Sequence, residues 1–457
     1  MSVKTENQSE ETKPIVDDLS TRLSESLNDD GSIKASKLAA LKAKLAEQTE
    51  TDMPARIVAK KTRSIRFGVV GSGQAGSRLA EAFYKSGYDA VCFNTATQDL
   101  EHIELPESNK YLLEFGLGGA AKELDIGRAA AEQHREAINA LVSEKLEEAQ
   151  ILLLCLSLGG GSGAGSCETM IDVLSTMGKP VVVMTILPMS TEDAQTKRNA
   201  LETLSKLAKE AQAKRIHNLI VVDNAKIETI YKDVSPIEFF DVSNKAIVEP
   251  LDAFNSFSSM PSAVKGLDPM EWAKIVTDGG GLSVYGKMVV ANYSDDTAIA
   301  EAVISNLNNG LLASGFDLKQ SRYVGVIIAA RKAVWASIPS AAVNYAMSMV
   351  GEVCGTPNGM FRGIYTNEDM PDEVVEVYSI FAGLGLPDSR VQQLKKEAAE
   401  SAAIAKDKDA GRNLSLKLDT GTEESVSAAD KVRQEIARKR SAFGGLLNNT
   451  VQDRRKK

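Results

Sequence analysis

Residues 151–165 read ILLLCLSLGGGSGAG. The first six are apolar without alternation, the signature of a strand buried on both faces of a sheet. They run into Gly159-Gly160-Gly161-Ser162-Gly163-Ala164-Gly165, after which 162–177 carries a helical pattern. Glycines at this density let backbone N–H groups crowd around an anion, and the helix N-terminus adds a favourable dipole. No Lys-Ser/Thr pair follows, so this is not a Walker A loop. A tight turn without a ligand does not account for so many glycines at a strand-to-helix junction.

Working outward, the same alternation repeats on both sides. IRFGVVG (65–71), DAVCFN (89–94), PVVVMTIL (180–187) and NLIVVDN (218–224) read as strands. Helical patterns occupy 74–85, 125–149 and 192–213. Apolar strands separated by amphipathic helices predict a doubly wound parallel-sheet domain of the α/β class over 62–235. A long central helix is expected over 236–260. A smaller mixed α/β domain follows over 261–385, with strands near 282–293, 322–330 and 372–382 and a helix start at Asp268. A C-terminal helix is expected over 386–405. Before the core, 1–31 is polar and reads as a disordered extension. Within 32–61, SIKASKLAALKAKLAE sets Leu38, Leu41 and Leu45 on one face of a short amphipathic helix with Ser32 as N-cap. Region 406–457 reads as a linker and basic tail.

A second glycine turn, Gly71-Ser72-Gly73-Gln74-Ala75-Gly76, also joins a strand to a helix. Taken alone it is G-x-G-x-x-G, a dinucleotide fingerprint. A dehydrogenase needs an acidic residue closing the next strand to hold the ribose. Here that strand closes with Asn94-Thr95, which disfavours a NAD-dependent oxidoreductase.

Composition sets further bounds. The chain has 457 residues, 43% of them hydrophobic and 25% charged, enough for a normal core and for two domains. No run of about 18 apolar residues suggests a membrane span, and the polar start MSVKTENQSEETK has no signal-peptide core. A cytoplasmic protein without direct membrane insertion is expected. Cys92, Cys155, Cys167 and Cys354 are scattered, as buried thiols in a reducing compartment would be. His102, His134 and His217 have no metal-ligand spacing. The formal charge of −9 is uneven: 431–457 carries nine Lys/Arg against Glu435 and Asp453, leaving an acidic body near −16. The tail, not the body, is the part suited to a polyanion or an acidic partner.

GGGSGAG closely resembles the GGGTGSG/GGGTGTG signature of the tubulin/FtsZ superfamily, and GQAGSR (73–78) resembles the tubulin form of the first turn. GLGGAAKELDIGRAAAE (116–132) is similar to the phosphate-contacting loop of FtsZ, one residue off in length and without its usual Asn. Within the superfamily the sequence looks most like the TubZ group of plasmid and phage filament proteins. FNTATQDLEHIEL (93–105), VVDNAKIETIY (221–231), DVSNKAIVEPLDAFNSFSS (241–259), LDPMEWAKIV (267–276) and VYSIFAGLGLP (377–387) carry that likeness, which spans roughly 65–400.

The resemblance implies a tubulin/FtsZ fold, GTP/GDP as nucleotide, Mg2+ as its ion and a head-to-tail homopolymer. Phosphate contacts would fall to Gly71, Ser72, Gly73, Gln74, Ala75, Gly118, Gly119, Ala120, Gly159, Gly160, Gly161, Ser162, Gly163 and Ala164, with Gln74 indirectly near Mg2+. Ribose and base contacts would fall to Asn94, Glu192, Asn224 and Asn244. An Asn amide can answer guanine's donors and acceptor together. A turn-former (Asn224), a solvated helix residue (Asn244) and an exposed first-turn carboxylate (Glu192) are the plainer alternatives.

In Leu267-Asp268-Pro269-Met270-Glu271, carboxylates at i and i+3 share a helix face. By itself the pattern is a capping box: Asp as N-cap, Pro at N1, Glu at N3. By resemblance, Asp268 and Glu271 polarise the water that attacks the neighbouring subunit's GTP, and a cap that fixes their geometry is compatible with that role. The TubZ likeness further implies that the basic tail, 431–457, meets a DNA-binding adaptor for plasmid or phage DNA partition. A solvated, unpartnered tail remains open, as does an FtsZ-like division scaffold.

Overall fold

The computed structural model describes residues 62–293, 297–309 and 315–410. Expectations for 1–61 and 411–457, including the amphipathic helix and the basic tail, lie outside the described residues.

The nucleotide half opens with β1 (Phe67–Ser72), α1 (Gly73–Lys85), β2 (Asp89–Asn94), α2 (Thr97–Glu101), β3 (Lys110–Leu112), α3 (Leu124–Gln133) and α4 (Arg135–Lys145). It continues through β4 (Ile151–Ser157), α5 (Gly161–Ser175), β5 (Val181–Leu187), α6 (Ala194–Gln212), β6 (Asn218–Asp223) and α7 (Asn224–Ile230). The long helix α8 (Phe239–Phe257) leads to α9 (Pro269–Thr277). Then come β7 (Leu282–Val290), α10 (Ala298–Asn309), β8 (Tyr323–Ala330), α11 (Lys332–Trp335), α12 (Ser340–Val353), β9 (Gly359–Thr366), β10 (Val375–Leu384) and α13 (Asp388–Ala410).

The strands are ordered β3-β2-β1-β4-β5-β6-β7-β10-β8-β9. Strands β1 to β6 pair in parallel, with β4 central between β1 and β5. Its Ile151–Leu156 are buried, as a strand covered by helices on both faces requires. The sheet does not stop where the second half begins. β7 continues it, pairing parallel to the start of β6 through Leu219/Leu282 and Ile220/Ser283. β10 lies antiparallel between β7 and β8, and β9 forms the far edge, parallel to β8. Both halves belong to one unit ending at Ile404.

Three local readings need correction. The helix expected over 125–149 is two, α3 and α4, joined at His134, whose backbone (φ −105, ψ 16) leaves the helical region. Its ring bonds the Tyr111 hydroxyl (3.2 Å) and the Glu114 carbonyl (3.0 Å), contacts that tie the junction to β3 and the segment just after it. Helix α6 begins at Ala194 with Asp193 as its cap, so Glu192 precedes the helix rather than sitting in its first turn. The last helix runs past its expected end at 405 to Ala410.

Helix α8 spans the height of the sheet. Near its C-terminal end the buried Asn255 accepts the Ile65 N–H (2.9 Å) and the Trp272 indole N–H (3.3 Å), and donates to the Ile65 carbonyl (2.8 Å). Trp272 of α9 is fully buried and stacks on Phe254, centroids 5.2 Å apart. Helix α9 is thereby fixed beside the entry to β1. All four cysteines are buried and free, and burial raises the pKa of each. Among the described residues no helix is long and apolar enough to cross a membrane.

Candidate functional site

The two glycine turns meet at the C-terminal ends of β1 and β4. A Cβ on Gly73 (φ +71) would stand 2.7 Å from the Gly163 nitrogen, and one on Gly163 would stand 2.7 Å from the Ser72 carbonyl oxygen. The turns can lie this close only without side chains. Packing thus explains part of the glycine density that sequence reasoning assigned wholly to an anion. Below the turns, the hydroxyls of Ser72 and Ser166 bond at 2.7 Å, and Ser162 bonds Thr95 at the end of β2 at 2.6 Å. The third expected loop joins them, since Ala120 lies against Gly161. Gly71, Ser72, Gly73, Gln74, Ala75, Ala120 and Gly159 through Ala164 are therefore one cluster at the N-termini of α1 and α5, where backbone dipoles favour an anion.

Gly118 and Gly119 share the third loop, but their N–H groups are used within the chain, on the Phe115 carbonyl (3.1 Å) and the Thr95 carbonyl (2.7 Å). Ala121 (φ 46) and Lys122 (φ 66) hold left-handed backbone there, costly for residues with a Cβ. Helix α6 restrains the loop: Asn199 donates to the Lys122 carbonyl at 2.7 Å, and the Lys122 ammonium pairs with Asp193. Burial works against the charged form of Asp193, yet Lys122 and the Thr196 donors outweigh it and hold the pKa at about 2.

Beside the turns lies a pocket lined by Gln74, Ala75, Arg78, Ile186, Asn224, Phe240, Ser243 and Asn244. Asn224, the first residue of α7, and Asn244, on the inner face of α8, thus converge from separate elements. Neither amide is hydrogen-bonded to the described residues. Phe240 and Arg78 were not foreseen. Phe240 stands one helical turn before Asn244 on the same face, a spacing that could have revealed it. The Arg78 guanidinium sits 4.8 Å from its ring centroid. An aromatic ring beside two free amides suits a planar base with mixed donors and acceptors.

Asn94 is placed differently from its expected role. It is fully buried; its amide donates to Asp99 at 3.1 Å and accepts the Ala96 N–H at 3.3 Å. Its neighbour Asp99, missed in the sequence, also accepts from the Gln74 amide at 3.1 Å. Asp99 is thus a carboxylate at the rim of the glycine cluster. Glu192 stands in the loop after β5, accepting the Met189 N–H at 3.2 Å.

Asp268 and Glu271 form the expected capping box: the Asp268 carboxylate accepts the Glu271 N–H (2.8 Å), and Glu271 accepts the Asp268 N–H (3.1 Å). Tyr365 holds the preceding residue, accepting the Leu267 N–H at 2.9 Å. Lys265 lies 3.7 Å from the Glu271 carboxylate. This acidic tip is not with the other site residues. Helix α9 packs at the N-terminal ends of β1 and β6, through Asn255 and through the Asn218 amide on the Val276 carbonyl (3.1 Å). The glycine turns are at the C-terminal ends. Along α8, Asn244 in the pocket and Asn255 beside α9 are separated by about 16 Å, at about 1.5 Å per residue.

Comparison with known proteins agrees with this geometry. Residues 66–232 match the model of the tubulin/FtsZ family GTPase domain, and 254–395 match that of the TubZ-like C-terminal domain. A tubulin-like protein TubZ of Bacillus cereus is 26% identical over 356 residues, covering 71% of this chain and 80% of that protein. A tubulin-like protein CetZ of Pyrococcus furiosus is 24% identical over 371 residues, covering 78% and 96%. The crystal structure of a GTPγS-form protofilament of Bacillus thuringiensis serovar israelensis TubZ superposes with a TM-score of 0.69 at 21% identity, over 78% of this chain and 96% of that one. The dehydrogenase reading of Gly71–Gly76 falls away. With two glycine turns nested at the C-terminal ends of the strands of a doubly wound sheet, a pocket lined by Asn224 and Asn244 beside them and both halves matched, the chain belongs to the tubulin/FtsZ family and is a GTPase with a TubZ-like C-terminal domain.

Proposed function

We propose that this GTPase polymerises head to tail, and that Asp268 and Glu271 of one copy act on the triphosphate held by the next. The observation that carries this reading is the separation of the two halves of the site across the sheet. One chain cannot bring its own acidic tip onto its own glycine turns, whereas a second copy stacked along α8 can, through a heterologous contact that repeats without closing. Exposed apolar side chains mark both ends: Leu117 projects from the loop beside the phosphate cluster, and Val264 and Met270 flank the acidic tip. The TubZ protofilament structure is consistent with such stacking.

In this mechanism the two turns and helix N-termini hold the phosphates, while Asn224 and Asn244 read guanine against Phe240. Glu192 lies at the ribose edge, and Glu271, held by its cap, orients and deprotonates the attacking water. Catalysis is then positioning plus charge stabilisation. Asp99 and the amide oxygen of Gln74 fit a Mg2+ brought in by the triphosphate. One or two hard oxygen ligands suffice for an ion that keeps its waters and phosphate oxygens. Such an ion would neutralise charge developing on the phosphates.

Partition or positioning of plasmid or phage DNA is the biological role we assign. The TubZ-like C-terminal half and the basic composition of 431–457 support it, the tail serving as the contact for a DNA-binding adaptor. Deleting 431–457 should abolish adaptor capture and spare GTP hydrolysis; retained capture rules out the tail. For polymerisation, phosphate release per molecule should rise steeply above a threshold protein concentration, with filaments visible by electron microscopy. Turnover independent of concentration, without polymer, defeats the proposal.

A further inference from the structure

The most deeply buried charged pair among the described residues lies behind the nucleoside pocket. Arg390, on the first turn of α13, donates from Nε to Asp223 Oδ2 at 2.7 Å and from Nη2 to Asp223 Oδ1 at 3.2 Å. Both side chains are almost completely buried (3% and 2% exposed). Such a pair is weak evidence for stability, because the cost of desolvating two ions offsets most of their attraction and apolar residues of similar volume commonly serve as well. Its neighbours suggest what it does instead.

Asp223 ends β6 and caps α7, accepting the Ala225 N–H at 3.2 Å. Asn224, whose free amide faces the pocket, is the residue between. The same guanidinium reaches the Pro188 carbonyl at 3.4 Å, where β5 gives way to the loop bearing Glu192. A second cation holds that loop from below: Lys197 donates to the Ser190 carbonyl at 2.7 Å and lies 3.5 Å from Glu397, which is itself 3.6 Å from Arg390. One side chain of the C-terminal helix therefore fastens both the start of α7, whose Asn224 lines the pocket, and the loop that follows the pocket residue Ile186 of β5.

We infer that Arg390 is a positioning residue for the guanine nucleotide, acting through Asp223 on Asn224 and through Pro188 on the loop of Glu192. The inference rests on the proposed assignment of this pocket to the nucleoside. Without Arg390, the buried Asp223 carboxylate loses its two-pronged partner and keeps only the Ala225 N–H and the nearby charge of Lys226. A carboxylate so weakly held turns toward water, which weakens its cap on α7 and frees Asn224 from a fixed orientation. Linkage makes the effect reciprocal: if docking of α13 strengthens nucleotide binding, nucleotide strengthens docking of α13 equally.

The test is direct GDP binding to the full chain by calorimetry at concentrations where it is monomeric, which needs neither hydrolysis nor polymer. Arg390→Met should bind GDP at least tenfold more weakly than wild type, with Arg390→Lys, which keeps the charge but not the fork, in between. The double variant Arg390→Met/Asp223→Leu removes both buried charges, so its melting temperature without nucleotide should recover while its GDP affinity stays low. Hydrogen exchange over 390–398 should slow on adding GDP in wild type and not in Arg390→Met. A folded double variant that binds GDP like wild type, or an affinity that recovers together with the melting temperature, overturns the inference and leaves the pocket assignment standing. A wild-type chain that binds no GDP overturns both.

Discussion

Replacing Glu271 separates the cap its carboxylate forms from the catalytic role proposed for it. In the cap, one oxygen accepts the Asp268 N–H at 3.1 Å, with the Glu271 side chain partly buried. Truncation to Ala forfeits that bond, a loss of about 0.5–1 kcal/mol; for a chain of this size that lowers the melting temperature by about 1–2 °C. In Glu271→Gln the amide oxygen can still accept the bond, so stability should stay within about 0.5 kcal/mol of wild type. Hydrolysis should fall in both variants by about 100-fold or more, the usual contribution of a positioned general base. Phosphate release and electron microscopy on the same samples would separate the effects: filaments persist and turnover collapses.

The sharper assay mixes copies. Glu271→Gln keeps its nucleotide pocket, whereas Asn224→Ala/Asn244→Ala keeps its acidic tip; each alone is inactive. In a 1:1 copolymer about a quarter of the contacts join an intact pocket to an intact tip, since each is met with probability one half, so about a quarter of wild-type turnover should return. Copolymer without recovered turnover refutes the shared site, and a Glu271→Gln variant that hydrolyses normally removes Glu271 from the chemistry.

Three further outcomes follow from the same geometry. Gly163→Ala places a methyl 2.7 Å from the Ser72 carbonyl oxygen; it should force the two turns apart and lower GTP affinity at least tenfold by calorimetry. Trp272→Ala should cost about 3–5 kcal/mol in denaturant unfolding, the range for large buried aromatics, because the ring is fully buried against Phe254. The Asp193 pKa is lowered from 3.8 to about 2 in the folded chain. Its stabilising contribution is therefore complete above about pH 4 and lost as pH falls toward 2. Acid-unfolding curves of Lys122→Met should show a smaller component of this kind, the Thr196 donors supplying the remainder, and superimposable curves count against the pair.

What the sequence shows of this protein is what neighbouring residues settle among themselves. ILLLCLS at 151–157 and PVVVMTIL at 180–187 are legible as buried strands because all their side chains but Ser157 and Thr185 are apolar, so no choice of face remains. Asp268-Pro269-Met270-Glu271 is legible as a helix start because a capping box closes within four residues. Asn224 and Asn244 were reached only through family resemblance, since an Asn by itself does not show which way it faces. β9 was missed because it is an edge strand whose glycines and Arg362 blur the alternation.

Contacts between distant residues decided the rest. His134 breaks a continuous helical pattern because Tyr111 and Glu114 draw its ring aside. Asn94 turns inward because Asp99 takes its amide. Arg390 meets Asp223 across 167 positions, a pairing that no local pattern encodes. That the acidic tip and the glycine turns lie at opposite ends of the strands is fixed by α8 spanning the sheet and by Asn255 and Trp272 pinning α9 at the far edge. A helix start can be written into four residues, but the distance between the acidic tip and the glycine turns exists only once the sheet has formed between them.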